Sequence, residues 1–587
     1  MSRTGLILRA NLGSGEISEE RIDPRLPGGY VGGRGLGAKI LSDETDPRSD
    51  PLAPEMRVVF AAGPLSGTGA PTSGRFSASF KSPLTGLLTD SNCGGFFGPW
   101  IKRAGYDAIV VQGRAEAPSY LAVSDEGSDI RDAGDLWGML TGETNRTLEE
   151  RHAGKVATIG PAGERGALIS NVIVNGRRAL GRGGLGALMG SKNLKAVVVS
   201  GRMKVEVEDP KSFDIAAARA RSLIRARLSR GWGLAEVGTA SIFHLLNVSG
   251  MLPVKNFQES RWPAQRAEEV GGERLRRDIL SGRHGCAACP VACGHWATLP
   301  GGEVKKAPEF ETIWSFGPNL DSSDLPSIVR AGALCDDLGL DTISTGSTIA
   351  AAAELRDMGK MEGGPGWDDP AGTLDTIKKI GMMEGGGRML AGGARRLALG
   401  RGAPEASMDS KGLELPGYDP RGAKGMGLAY ATSNRGGCHM KGYTVLHELT
   451  GKAERLSSVG KAQLVMGVQD ETAFVDSLVL CRFVQQLLGP EILVDLYNGA
   501  TGSDIRREDM MEMGGRIFNL ERLYNERAGV SEDSLPGRLL ADMVGDGPSK
   551  GNVVELAEML AEYRTLRGWA PGGEILEETL RRYGLSR

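Results

Sequence analysis

Three cysteines within eight residues constrain this chain more than any other feature. The stretch CAACPVACGHW, Cys286–Trp296, spaces them C-x2-C-x3-C. A metal group at such a cluster needs a fourth ligand, and nothing nearby supplies another thiol. A [4Fe–4S] cluster asks for four thiolates. A zinc ion also asks for four ligands, and His284 or His295 would complete a Cys3His set. On the first reading, distant segments must converge on one loop.

The chain has 587 residues, too many for one hydrophobic core, so two to four domains are expected. Its net charge of −3 argues against a nucleic-acid partner. Glycine is the compositional outlier, with 87 residues scattered along the chain and not gathered in a repeat. Glycine serves where φ is positive or where backbone must approach a neighbour closely. A large buried cofactor would account for many of them, and a loop-rich architecture is the alternative. The other cysteines are Cys93, Cys335, Cys438 and Cys481, giving an odd total of seven that does not read as a disulfide framework. The N-terminus lacks a signal-peptide core, and no apolar run reaches the roughly 18 residues of a membrane span. The expectation is a cytoplasmic protein with metal-binding thiols and no membrane insertion.

Strand signals dominate the first 200 residues: RVVFAAGPL (57–65), RFSASF (75–80), DAIVVQG (107–113), KVATIG (155–160) and LKAVVVSG (194–201). Helical spacing follows in 209–230, which opens with Asp-Pro, and in 347–359 and 552–569. Strands gathered first and helices afterwards predict an α+β fold: a β-rich part over 1–205, then two mainly helical parts over 206–405 and 406–587.

The glycine-rich stretch 28–39, GGYVGGRGLGAK, misses the dinucleotide fingerprint, and GRGGLGALMGSKNLKAVVV (181–199) misses the phosphate loop by one residue. What is left in the second is a run of backbone N–H groups flanked by Arg182, Lys192 and Lys195, suited to an anionic phosphate or to an ordinary tight turn. PEFETIW holds Glu309 and Glu311, which on a strand would share one face. SNRGGCHMKGY holds Arg435, Cys438 and His439. DDLGLD (336–341) and DSLVLC (476–481) echo each other, and the second ends in Cys481.

Taken together, GRGGLGALMGSKNLKAV, the three-cysteine stretch, DDLGLDT and DSLVLC resemble the tungsten-containing aldehyde ferredoxin oxidoreductases. YVGGRGLGAKIL, GPLSGTGAPTSGRF and YRTLRGW match as well, so the likeness runs in consistent order from about residue 5 to 585. The resemblance implies that Cys481 is the fourth cluster ligand beside Cys286, Cys289 and Cys293. It implies tungsten (or molybdenum) held between two pterin-dithiolene cofactors, one bound by Asp336, Leu340 and Asp341 and the other by Asp476 and Leu480. Arg75, Asn92, Gly94, Arg182, Gly183, Gly184 and Arg435 would lie beside this cofactor, with Mg2+ bridging its phosphates. The first 200 residues would form its base, and the helical parts would close over it.

The implied reaction oxidises an aldehyde to a carboxylic acid, with Glu311 as general base on water or hydrate and His439 hydrogen-bonding the carbonyl or a metal oxo group. Glu309 competes for the role of Glu311. Electrons would leave singly through the cluster to ferredoxin or to iron–sulfur and flavin partner subunits. A homodimer is compatible, although the Glu-x-x-His pair that bridges some family dimers is absent. The nearest rival is the tungsten subunit of benzoyl-coenzyme A reductases, which supplies a cysteine near position 309; this chain has none between Cys293 and Cys335. A rival of another class is a zinc-stabilised, non-catalytic scaffold.

Overall fold

The strand-forming runs of the first 200 residues pair into two six-stranded mixed sheets in a computed structural model that describes residues 2–530 and 532–587. The first sheet comprises β1 (Leu6–Asn11), β2 (Glu16–Arg21), β3 (Val58–Ala61), β4 (Phe76–Lys81), β5 (Leu88–Cys93) and β6 (Ala108–Gln112), in the order β2-β1-β6-β3-β4-β5. The second comprises β7 (Ser119–Ser124), β8 (Gly127–Asp132), β9 (Lys155–Thr158), β10 (Val172–Val174), β11 (Arg178–Leu180) and β12 (Leu194–Val199), in the order β11-β10-β9-β12-β7-β8. The pairs β1–β6 and β7–β12 are parallel and the other neighbours antiparallel.

Alternation along the strands explains how the sheets stack. Val58, Phe60, Phe76, Ala78, Ile109 and Val111 share one core with Leu121, Ala157, Val197 and Val199 of the second sheet. The opposite face of the first sheet, Val59, Ala61, Ala108 and Val110, packs on Leu36 and Ile40 of the helix Gly33–Glu44 and on Ile517 and Leu520 of the helix Arg507–Arg527. Tyr120, Ala122, Val156 and Val198 cover the outer face of the second sheet with Leu148. Strands buried on both faces lose their polar alternation, which is why VVFA reads as a continuous apolar run and LKAVVV as one broken only by Lys195.

From Pro210 onward the chain is mainly helical. Asp209 caps the helix Pro210–Ser229 by accepting from the Ser212 N–H at 3.1 Å, as the Asp-Pro start predicts. The run expected at 347–359 is a helix that begins earlier, Thr342–Asp357, capped by Asp341. Two small antiparallel sheets interrupt the helices, and the lesser is the pair of short strands Asp409–Ser410 and Leu413–Glu414. β13 (Leu280–His284), β14 (Gly294–Thr298) and β15 (Val304–Lys306) form a small antiparallel sheet whose first turn is the cysteine loop.

Two expectations are corrected. Glu309 and Glu311 do not sit on a strand: Glu309 precedes the helix Phe310–Phe316 and Glu311 lies in its first turn, so the two carboxylates diverge. Lys192 and Lys195 do not flank an anion site. Lys192 donates to the Pro54 carbonyl at 2.8 Å, and Lys195 binds the Met139 carbonyl at 2.9 Å and the Glu164 carboxylate, so both are buried cross-links.

The helices Lys461–Leu478 and Arg482–Thr501 meet at 99° through Val479, Leu480 and Cys481. Val479 takes a left-handed conformation with φ 59°, which turns the chain so that Cys481 opens the second helix. Among the described residues no single helix is long and apolar enough to cross a membrane, and this bent pair passes such a test by length and composition only.

Candidate active site

Edge strand β5 supplies the floor of the site. Its side chains alternate, so Asp90 and Asn92 lie on one face opposite Ser79 and Ser77 of β4. Lys441 donates to Asp90 at 2.6 Å and to Asp476 at 2.7 Å, tying the strand to the end of the helix Lys461–Leu478. Arg34 reaches Glu521 at 2.6 and 2.7 Å and lies 3.5 Å from both Asp90 and Asp476. Burial by itself would raise the Asp476 carboxyl, but Lys441, Arg34 and Arg482 outweigh it and hold the group at about 2. Asn92 donates to the Asp476 carbonyl at 3.4 Å and accepts from Arg75.

A second cluster gathers on Arg182. Its guanidinium donates to Asp341 at 3.0 Å and to the carbonyls of Gly437 and Glu414 at 2.7 Å each. Asp341 also accepts from the Ile343 N–H at 3.0 Å and the Ser344 hydroxyl at 2.7 Å, and Ser344 Oγ contacts the Glu414 carboxylate at 2.6 Å. Gly183 and Gly184 beside Arg182 have φ of 96° and 80°; an added Cβ would lie 2.8 Å from Thr89 Cγ2 and 2.5 Å from the Leu168 carbonyl, respectively. Asp336 is not part of this cluster: its carboxylate binds Lys306 at 2.6 Å. Leu340 and Leu480 are buried.

Between the clusters stand Glu311 and His439. Glu311 Oε2 accepts from the Gly417 N–H at 3.0 Å, while Oε1 has no hydrogen-bond partner and lies 3.6 Å from His439 Nε2. That gap exceeds a hydrogen bond. Burial pushes the Glu311 carboxyl up to about 8. Burial, then Arg182, Arg435 and Arg482, drives His439 well below its usual value, so its imidazole is neutral. Tyr418 and Tyr443 flank the imidazole, with ring centroids at 5.5 and 6.1 Å. Glu309 faces elsewhere, accepting from Thr239 at 2.7 Å.

At the rim, the cysteine loop meets the bent helix pair. Ala288 and Ala292 adopt left-handed φ of 53° and 43° immediately before Cys289 and Cys293, a strained conformation for alanine. Thr72 stitches the two segments together: its N–H donates to the Ala288 carbonyl at 2.8 Å, and its carbonyl accepts from the Cys481 N–H at 3.2 Å. Cys289, Cys293 and Cys481 pack on the same apolar cluster. Gly94 makes room, since a Cβ there would lie 2.9 Å from Cys286 Sγ. Burial pushes the Cys289 thiol up to about 11, with Cys481 and Cys286 adding to the shift. Among the described residues no three His, Cys, Asp or Glu side chains close on one point as ligands of a single ion would. His284 and His295 do not join the thiols in such a set, and His295 Nδ1 lies 3.0 Å from the Cys293 carbonyl.

The donor set suits a large buried anion. Arg75, Arg435 and Arg482 converge here, and among the described residues none has a carboxylate within ion-pairing distance. Arg435 instead donates to the Asp90 carbonyl at 2.5 Å and to Cys438 Sγ at 2.9 Å, and its Nε has no hydrogen-bond partner. Asp341 has used three of its roughly four acceptor positions, leaving room for a ligand N–H. Sequence reasoning missed Arg34, Asp90, Glu414 and Thr72, whose roles depend on partners hundreds of residues away. Lys441 and Tyr443 stood inside the stretch SNRGGCHMKGY without a pattern to single them out.

A floor of sheet, two carboxylate–arginine clusters and a rim carrying the cysteine loop make up the candidate site, and comparison with known proteins places the chain in an enzyme class. Residues 7–201 match the family description "Aldehyde ferredoxin oxidoreductase, N-terminal domain", and residues 216–585 match "Aldehyde ferredoxin oxidoreductase, domains 2 & 3". The chain is 44% identical to the tungsten-containing aldehyde ferredoxin oxidoreductase of Pyrococcus furiosus and 41% identical to that of Thermococcus kodakarensis, with 99% of each chain covered in both cases. Among solved structures, the active-site complex BamBC of benzoyl coenzyme A reductase with 1,5-dienoyl-CoA shares the fold, with a TM-score of 0.87 and 24% identity over 100% of this chain and 97% of the other. The molecule is an oxidoreductase. It belongs to the aldehyde ferredoxin oxidoreductase family.

Proposed function

We propose that this chain oxidises aldehydes to carboxylic acids at tungsten (or molybdenum) carried by two pterin-dithiolene cofactors. Electrons then leave singly through a [4Fe–4S] cluster on Cys286, Cys289, Cys293 and Cys481 to a ferredoxin or a partner redox subunit. The observation that carries this reading is the buried Glu311–His439 pair, 3.6 Å apart with one carboxylate oxygen unpartnered, set between the two carboxylate–arginine clusters.

Asp341 and Asp476 would each accept from a pterin edge, with Asp336, Leu340 and Leu480 shaping the same two motifs. Arg75, Arg182 and Arg435, the Asn92 amide and the backbone at Gly94, Gly183 and Gly184 would hold the anionic parts, with Mg2+ between the phosphates. When bound, the metal group supplies the two-electron acceptor that no side chain provides. Glu311, once ionised, takes the proton from water or aldehyde hydrate. His439, neutral throughout, donates a hydrogen bond to the substrate oxygen. Tyr418 and Tyr443 keep that imidazole in place and exclude water around it.

The three parts 1–205, 206–405 and 406–587 would act as base and two covers. Seven free cysteines suit the reducing cytoplasm, and a homodimer is compatible with the reading. The benzoyl-coenzyme A alternative gains fold likeness from its solved complex, but this chain lacks a cysteine near Glu309 and carries the Glu311–His439 pair.

The test is elemental analysis of anaerobically purified protein, followed by an aldehyde panel with a viologen dye. Glu311→Gln is expected to abolish turnover while iron and tungsten or molybdenum stay at wild-type content. Loss of metal from that variant would make the residue structural, and a full metal complement without activity on any aldehyde would remove the substrate assignment.

A further inference from the structure

Outside the site already described, the strongest concentration of unexplained chemistry lies on the outer side of the cysteine loop. A surface depression of about 370 Å3 opens there, lined by Leu228, Trp232, Glu236, Arg276, Arg283 and Pro290. Pro290 belongs to the cysteine loop itself, between Cys289 and Cys293, and is exposed. Arg283 donates to the Val291 carbonyl at 2.7 Å, so the floor of the depression is the outer wall of the thiol cluster.

Arg276 and Arg283 line the depression, and the segment that supplies Leu228 and Trp232 is basic in a chain that is acidic overall. From Ile215 to Ala235 there are five arginines, Arg219, Arg221, Arg225, Arg227 and Arg230, and no acidic residue. Arg225 and Arg230 are exposed, and Arg227 sits over the Trp232 ring at 5.6 Å. The one carboxylate lining the depression, Glu236, is already bound to Arg276 at 2.9 Å. Arg219 lies 3.9 Å from Asp495 and Arg221 donates to the Gly69 carbonyl, which leaves Arg225 and Arg230 with no carboxylate in ion-pairing distance among the described residues. Like charges at this spacing repel, so folding alone does not call for these two. Leu228, Trp232 and Pro290 add an apolar floor inside the charged rim, the arrangement of a protein-binding surface.

We propose that this face docks an acidic, one-electron iron–sulfur carrier protein. The proposal rests on the cluster assignment made above: one electron leaves the reduced cluster and enters the oxidised carrier, with no bond made or broken. Carboxylates on the carrier pair with the arginine rim, and the apolar floor brings the carrier's surface against the loop that holds Cys289 and Cys293. The rim then sets the association rate and its salt dependence, as exposed interface charges do.

The experiment measures complex formation directly, by calorimetric titration of the anaerobically purified holoenzyme with an acidic [4Fe–4S] ferredoxin at several ionic strengths. The double variant Arg225→Glu/Arg230→Glu is expected to raise Kd at least about tenfold at low salt and to approach wild type at high salt. Arg276→Glu is expected to act in the same direction, and the milder Arg225→Gln/Arg230→Gln by a smaller factor. Arg507→Glu, on an exposed position of the helix Arg507–Arg527, is expected to leave Kd unchanged. Viologen-linked activity should be the same in all of them, because a small dye needs no docking surface. Wild-type Kd in the rim variants, or preference of the wild-type enzyme for a basic carrier, overturns the proposal. If viologen-linked aldehyde oxidation is missing from wild type while charge-dependent binding persists, the proposed reaction fails and the docking surface stands.

Discussion

Glu311 is a carboxyl group in a place that opposes its ionisation. Burial raises it to about 8, and the single N–H from Gly417 is too weak a counterweight. At neutral pH the protonated form therefore predominates, so a base at this position works against its own protonation. The sign follows directly: raising pH removes the proton and produces the active base. kcat/KM for an aldehyde is expected to climb about tenfold per pH unit below about 8 and then level off. A profile flat from about pH 6 to about pH 9 in buffer-independent initial rates would exclude Glu311 as the titrating group. His439 contributes no second limb in that range, because three arginines and burial keep it neutral.

At the scale of elements, the turn Val479–Cys481 and the glycine stretch 28–39 depend on each other. The glycines that fail every nucleotide pattern serve close packing. A Cβ on Gly33 would lie 2.8 Å from the Asp476 carbonyl and 2.8 Å from Val479 Cγ1, and the residue has φ 39°. Gly63 approaches the same turn, with a Cβ there falling 2.6 Å from the Leu478 carbonyl. Gly33→Ala is therefore expected to destabilise the protein by roughly 1–3 kcal/mol through overpacking, read as a lower midpoint of thermal inactivation. It is also expected to weaken cofactor retention, since the helix that runs into the displaced turn carries Asp476 of the proposed cofactor site. Cys481→Ser, by contrast, is expected to alter the iron signal in low-temperature magnetic spectra while tungsten or molybdenum content holds. An unchanged cluster spectrum would count against the fourth ligand.

Across the whole molecule, Arg34 is the buried clasp. It joins the helix Gly33–Glu44 to Glu521 on the helix Arg507–Arg527 and lies within ion-pairing distance of Asp90 on the floor strand and Asp476 on the helix Lys461–Leu478. Removing the cation leaves three buried carboxylates short of compensation. Arg34→Met is expected to cost roughly 3–5 kcal/mol, with the loss appearing as faster irreversible unfolding. Because Asp476 belongs to the proposed cofactor site, that variant is also expected to purify with depleted metal. A variant that keeps wild-type unfolding rate and metal content would show the clasp to be dispensable.

Local chemistry wrote itself into the sequence wherever neighbours along the chain decide the outcome. The five apolar runs became strands, and Asp209-Pro210 began a helix, because these depend on propensity, pairing faces and caps within a few residues. The spacing of Cys286, Cys289 and Cys293 is likewise local, and the metal group it suggests remains part of the proposal. Glu309 and Glu311 misled, since a two-residue spacing marks one face only if the segment is extended, and packing of Phe310, Ile313 and Trp314 made it a helix instead. Lys192 and Lys195 misled because a cation in a glycine stretch looks alike whether it awaits a phosphate or caps carbonyls. What only the tertiary structure decided is which distant groups share a dry space: Arg34 with Glu521, Lys441 with Asp90, Thr72 with both Ala288 and Cys481. Those pairings are set by how sheets and helices bury their apolar faces, and charge interactions become strong enough to shift a carboxyl only after that burial has removed the water.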